Sequence, residues 1–255
     1  MGSLAPVVAC IGTTHPLNIA GLGLPLRVSA ALGVRAVTVV AGVSAQTAAR
    51  VYAREPVAPS AIAAQFAALA DAQVTAFHVG ALLDEASVRA VARGLTLYPN
   101  VPVICDPVIA ASGGDALADG ATLAALRDEL FGLCALITPN LAEAGLLLGM
   151  PVTDVPEMDH AARVLLLTGA RGVLIKGGHL GGDAIDVLAY AQELMHFAAP
   201  RIAAELRGTG DLLAFAIAAR LACGDALPVA IGSARDFVRT HLRNSVTFAG
   251  AQTIP

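Results

Sequence analysis

Six short apolar runs, rich in β-branched residues, constrain this chain more than any other feature. They are "APVVACIG", "GVRAVTVVAGV", "VTAFHVG", "VPVICDPVI", "CALITPN" and "GVLIKGGH". Each ends in a turn signal, and between them lie Ala-rich stretches with helical character, over residues 19–32, 59–71, 84–97, 120–130, 141–148 and 158–168. Strands that alternate with helices predict βαβ units and a parallel sheet. The runs are continuously apolar rather than alternating, which predicts burial on both faces. The reading is an α/β, three-layer domain: a mostly parallel central sheet with helices on both faces. Beyond Gly182 the pattern changes. "AIDVLAYAQELMHFAAPRI" reads as two short strands around a turn, an antiparallel edge, and helices follow from the "RGTGD" segment onward and over 228–246. No Ser/Gly/Pro linker or charge block divides the chain, so residues 1–255 are read as a single domain.

Composition narrows the class. Hydrophobic residues make up 56% and mean hydropathy is +0.70, so a membrane span has to be considered. A spanning helix needs roughly 20 uninterrupted apolar residues, and Gly, Pro or charge interrupts every run here. The formal net charge is −4 and there is no basic stripe, which argues against nucleic acid as a partner. Cys10, Cys105, Cys134 and Cys223 have no metal-type spacing and read as buried small hydrophobes. The apolar start is too short for a signal sequence, so a cytoplasmic protein is expected. His15, His160, His196 and His241 are scattered, without ligand spacing; His15 lies in the first loop, where it can reach a substrate. The apolar excess, spread over more than one face of the helices, points to an oligomer.

In an open α/β sheet, ligands bind outside the carboxyl ends of the strands. The polar residues at those ends are Gly12 to Thr14, Gln46, His78, Gly80, Asp106, Thr138, Asn140 and Lys176 to His179. The segment "RGTGDLLAF" adds a glycine-flanked helix start. Gly208, Thr209 and Gly210 can offer backbone N–H groups to a phosphate, with Asp211 in the first turn as a general base; equally, Thr209 or Asp211 can simply cap the helix. Asp106, at a strand end, either holds Mg2+ or forms an Asp-Pro turn. Asn140 and Glu143 share a face and are hard oxygen donors, but the same spacing makes a capping box. Lys176 is a point charge for a phosphate or a solvated turn lysine.

Taken in order, these segments resemble the hydroxymethylpyrimidine/phosphomethylpyrimidine kinase family of the ribokinase-like superfamily. The resemblance rests on "SAALGV", "SAQTAARV", "DPVIAASGG", "ITPNLAEAGLLLG", "VLIKGGHL", "FAAPRI" and "RGTGDLLAFAIAARLACG", and covers nearly the whole chain. It implies ATP- and Mg2+-dependent phosphorylation of hydroxymethylpyrimidine or its monophosphate in thiamin biosynthesis, by a homodimer. It implies Gly208 to Gly210 as the anion site and Asp211 as the base. Lys176, Gly177, Gly178 and Thr138, with His179 beside them, fall near the nucleotide. Asn140 and Glu143 fall at the metal, and Gly12, Gln46, Gly80 and Asp106 at the substrate.

Departures from the family pattern cluster at the substrate edge. Asp211 stands where the pyrimidine kinases usually carry cysteine, as in pyridoxal and sugar kinases. The first loop, "GTTHPLNIAGLGLP", has Thr14 for an aspartate, Leu17 and Asn18 for two glycines and Pro25 for a later acid. "HVGAL" has His78 and Ala81 for a lysine and a methionine. A pyridoxal or pyridoxine kinase and a catalytically inactive regulatory binder are therefore the alternative readings. A dinucleotide-binding dehydrogenase is the weakest, since "GLGLP" lacks the third glycine.

Overall fold

The computed structural model describes residues 4–110, 117–178, 180–204 and 206–255. Ala111 to Gly114 of "DPVIAASGG", His179 and Glu205 therefore lie outside the described residues.

The sheet has nine strands. Six are parallel: β1 (Val7–Thr14), β2 (Arg35–Gln46), β4 (Val74–Val79), β5 (Val103–Cys105), β6 (Leu136–Ile137) and β7 (Gly172–Gly177). Three are antiparallel additions: β3 (Val51–Pro56) beside β2, and β8 (Ala184–Tyr190) and β9 (Glu193–Ala199) beyond β7. The spatial order is β3-β2-β1-β4-β5-β6-β7-β8-β9. From β1 the chain steps one way to β2 and then returns to the other side for β4. That reversal makes a topological switch point between β1 and β4, where a ligand crevice forms.

Alternate residues of each strand feed two cores. Ala9 and Ile11 of β1, with Phe77, Val173 and Ile175, pack under α2 (Pro59–Ala68), α3 (Glu85–Leu95) and α6 (Val155–Leu166). Val8 and Cys10, with Ile104, Leu136 and Leu174, pack under α7 (Thr209–Ala222) and α8 (Leu227–Arg243). Burial on both faces is why the strands read as unbroken apolar runs. Helix α7 is the most enclosed: every residue from Leu212 to Ala219 is buried. Its alanines let the backbone approach both the sheet and α8.

The remaining helices are α1 (Gly23–Val28), α4 (Gly120–Ala125, running on into a π-helical turn at Leu126–Leu130) and α5 (Leu141–Leu148). Several sequence expectations are corrected. The helix expected over 19–32 begins only at Gly23, because Asn18 (φ 51°) and Gly21 (φ 56°) take left-handed backbone conformations that no helix accepts. The last helix ends at Arg243, and Val246 instead opens a small hairpin, β10 (Val246–Phe248) and β11 (Ala251–Thr253). Strand β3 was not expected. Cys10, Cys105 and Cys134 are buried as read, whereas Cys223, just past α7, is exposed.

Candidate active site

The ends of four neighbouring parallel strands form a staircase of backbone hydrogen bonds. Gly80 N–H donates to Ile11, Asp106 N–H to Val79, Thr138 N–H to Cys105 and Lys176 N–H to Pro139, all at 2.8–2.9 Å. The sheet ladder thus carries each residue to the same edge. There the Lys176 ammonium lies 2.5 Å from Asp106 Oδ1 and 3.9 Å from Glu143 Oε2. Thr138 Oγ1 donates to the same Asp106 oxygen at 3.0 Å. All four side chains are buried or nearly so.

Helix α7 enters from above. Its cap, Gly208, has φ 76°, and a Cβ there would come within 2.6 Å of the Ile19 carbonyl, so only glycine fits. A Cβ on Gly210 would stand 2.8 Å from Asp106 Oδ2 and 3.1 Å from Lys176 Nζ. The first turn of α7 therefore rests directly on the Asp106–Lys176 pair. Thr209 turns the other way and donates to the Leu206 carbonyl at 2.5 Å.

Asp211 follows, over the switch point. Its Oδ2 accepts the Gly21 N–H at 3.0 Å, and its Oδ1 lies 3.3 Å from where a Cβ on Gly80 would stand. A Cβ on Gly12, one strand away, would make ordinary van der Waals contact with Gly80 and Ala81 at 3.6–3.7 Å. Burial and the Asp106 charge raise the Asp211 carboxyl to about 6, against the pull of the Gly21 N–H and Lys176. Glu143 is raised to about 7, first by burial and then by Asp106, with Lys176 opposing. The Lys176 ammonium is disfavoured by burial, but Asp106 and Glu143 more than offset this and hold its pKa above the ordinary lysine value.

The capping-box alternative for Asn140 and Glu143 is realised. Asn140 Oδ1 accepts the Glu143 N–H at 2.9 Å, and Glu143 Oε2 accepts the Asn140 N–H at 2.7 Å. The box is what delivers the Glu143 carboxylate to Lys176. Asn140 Oδ1 is engaged in the cap. Two of the residues expected near the nucleotide make internal contacts. Thr138 is fully buried and serves Asp106, and Gly177 sends its N–H inward to Asp186 Oδ1 at 3.0 Å. Gly178 remains open, with nothing within 4 Å of a Cβ. Gln46 ends β2, paired with Val51 and half-buried, and no described hydrogen bond joins it to the cluster.

Three carboxylates, Asp106, Glu143 and Asp211, thus face one ammonium. The excess of buried negative charge fits a divalent cation, though among the described residues no three His, Cys, Asp or Glu are arranged to hold one unaided. That combination suits Mg2+, which binds through one or two carboxylates together with substrate phosphates.

Sequence reasoning missed one participant. Gly21 reaches Asp211 across 190 residues. His78 is buried with neither ring nitrogen partnered among the described residues, edge-on to Phe215, one turn along α7 from Asp211. Burial lowers its pKa to about 4, with Lys176 adding and Asp106 opposing, so it is neutral. His15 is buried too, and Nδ1 accepts the Leu17 N–H at 3.1 Å, which leaves the proton on Nε2.

Comparison with known proteins identifies relatives over most of the chain. The family described as Phosphomethylpyrimidine kinase matches residues 18–254. The hydroxymethylpyrimidine/phosphomethylpyrimidine kinase of Rhizobium meliloti is 38% identical over 229 residues, 88% of this chain and 85% of that protein. The thiamine biosynthesis bifunctional protein ThiED of Geobacter sulfurreducens is 37% identical over 227 residues, 88% of this chain; the chain spans only 46% of that longer protein. Among solved structures, an ADP complex of Bacillus subtilis pyridoxal kinase superposes with a TM-score of 0.89 at 25% identity, covering 98% of this chain and 97% of that one. With a fold, a strand-end cluster and a family match that all coincide, the chain belongs to the phosphomethylpyrimidine kinase family.

Proposed function

We propose that this chain transfers the γ-phosphoryl group of MgATP to the hydroxymethyl group of a hydroxymethylpyrimidine, to its monophosphate, or to both. The observation that carries the reading is Asp211: a carboxylate at the mouth of α7, above the switch point, with a pKa near 6. At neutral pH it is mostly ionised yet basic enough to accept a proton. As the acceptor oxygen bonds to the γ-phosphorus, the hydroxyl proton passes to Asp211 and ADP leaves. Gly208 and Gly210 N–H groups, on the positive end of the helix dipole, face the charge on the transferring group. Lys176 orients the phosphates and Gly178 lines their approach. When bound, Mg2+ supplies charge compensation on the phosphates, and Asp106 and Glu143 are the residues that would hold it.

The test is ADP release with MgATP against hydroxymethylpyrimidine, its monophosphate, pyridoxal, pyridoxine and ribose. Turnover on the pyrimidines, at least tenfold above the others, is the expected outcome. Turnover on pyridoxal or pyridoxine alone would move the acceptor and keep the chemistry, a reading that Asp211 favours. Nucleotide binding without turnover on any of them would favour a regulatory binder.

A homodimer is part of this reading. The β2–β3 hairpin is an edge that leaves Val43 50% and Tyr52 61% exposed, the kind of surface a partner covers. Sedimentation equilibrium is expected to give twice the 25.7 kDa chain mass. Tyr52→Asp is expected to shift it towards one chain; a wild-type monomer at micromolar concentration would end the dimer reading. Among the described residues no helix is long and apolar enough to cross a membrane.

A further inference from the structure

Between β7 and β8 the chain runs through Gly177, Gly178, Gly181 and Gly182. Leu180 anchors one point of it, donating its N–H to the Gly177 carbonyl at 3.0 Å and packing on the core, but the glycines around it have no side chains to hold their backbone. A Cβ on Gly178, Gly181 or Gly182 would meet nothing within 4 Å, and Gly182 has φ 80°. One side chain from outside the loop does the shaping. Arg201, just beyond β9, donates Nε–H to the Gly182 carbonyl at 3.0 Å, while its Nη1 and Nη2 donate to the carbonyls of Gly178 and Leu180. A single guanidinium thus takes the carbonyls of Gly178, Leu180 and Gly182. Its planar fork of donors makes that possible, and an ammonium cannot reproduce it.

The consequence lies on the other side of each peptide. In a trans peptide the N–H points opposite to the C=O. Drawing the Leu180 and Gly182 carbonyls onto Arg201 turns the N–H groups of Gly181 and Asp183 away from it. No hydrogen bond occupies either of them among the described residues. The root of the loop is fixed separately: Arg235 on α8 lies 2.5 Å from Asp186 Oδ2, and Asp186 Oδ1 accepts the Gly177 N–H. Arg235 is buried, whereas Arg201 is exposed and belongs to neither core.

We infer that Arg201 is a positioning residue for the nucleotide: by gripping Gly178, Leu180 and Gly182 it holds the backbone in the shape that presents the free N–H groups of Gly181 and Asp183 to a nucleoside triphosphate beside Lys176. The inference rests on the kinase reading, which places the nucleotide there.

The experiment uses the full chain with Arg201→Ala and Arg201→Lys. ADP and ATP affinities are measured without acceptor, then KM for ATP, kcat at saturating ATP, KM for acceptor, and Tm. Expected are a rise of about tenfold or more in nucleotide Kd and KM in both variants, kcat within about threefold and an unchanged acceptor KM. Millimolar guanidinium is expected to recover most of the nucleotide affinity of Arg201→Ala. Unchanged nucleotide affinity in Arg201→Ala would overturn the inference, as would equal losses in kcat and both KM values with a lowered Tm. Wild-type nucleotide binding is measured first: its absence would remove the kinase reading itself, a failure distinct from that of Arg201.

Discussion

Asp211→Asn is expected to lower kcat for a hydroxymethyl acceptor by about 10²–10⁴-fold, the range contributed by a positioned general base. Asparagine keeps the size of the side chain and an oxygen for the Gly21 N–H, so nucleotide affinity is expected to stay within about twofold. The acceptor sharpens the test. A hydroxymethyl group must lose a proton during the transfer. A phosphate monoester has its second pKa near 6 and is already largely ionised at neutral pH. The substitution should therefore harm the alcohol acceptor far more than the monophosphate. Wild-type kcat/KM for the alcohol is expected to fall with decreasing pH through about 6, as Asp211 protonates, and the variant should lack that limb.

Stability should move the opposite way. The folded carboxyl is raised from 3.8 to about 6, so folding favours its neutral form. Its contribution is fully present below the unfolded pKa and is lost as pH rises through about 6. Near pH 7 the charge is a burden on the fold, and Asp211→Asn is expected to raise Tm by ~2–4 °C, the shift that about 1 kcal/mol produces in a chain of this size. A variant that turns over the alcohol normally, or that loses nucleotide affinity in step with turnover, would remove Asp211 from the role of base.

The parallel strands were legible because burial on both faces leaves an unbroken apolar signature. Strand β3 was not: "VYAREP" carries two adjacent charges and a proline on an exposed edge, without an apolar alternation, and only pairing with β2 makes it a strand. The terminal hairpin turns at Ala249 and Gly250, with φ 48° and 80°, and an Ala-Gly pair is a faint turn signal. At the site, sequence could show which residues reach the strand ends but not where their atoms point. Thr138 and Gly177 stand at the right edge and yet turn towards Asp106 and Asp186. For Asn140 and Glu143 the two readings were not rivals, since the cap is the device that aims the carboxylate. "FAAPRI" was visible as a motif without a role, because the loop that Arg201 grips comes about 20 residues earlier and is joined to it only by the β8–β9 hairpin.

Lys176→Met is the second large effect, and it separates fold from function. Among the described residues Lys176 is the one cation that contacts Asp106 and Glu143 and offsets the charge of Asp211. Removing one partner of a buried pair leaves an uncompensated charge, a loss of about 3–5 kcal/mol. For a chain of this length that lowers Tm by ~10 °C. The sign with pH follows from the carboxylates. Without the ammonium, Asp211 and Glu143 lose an interaction that lowers their pKa values, so both rise further. The penalty should then be largest at pH 8 and shrink as pH falls through about 7 and 6, where the two acids protonate. In the wild type, by contrast, the Lys176 contribution is present throughout that range and is lost only above its raised pKa. Nucleotide affinity is expected to fall by at least about tenfold, because the phosphates lose their point charge. Adding Asp106→Asn to Lys176→Met removes the opposing charge and should recover much of the Tm, since a pair replaced by neutral groups can be nearly neutral in stability. Activity should not return with it. If the double variant regains both stability and turnover, the Asp106–Lys176 pair is structural, and the phosphate end of the site must lie elsewhere along the strand edge. If it regains stability alone, the buried charges are kept for the nucleotide rather than for the fold.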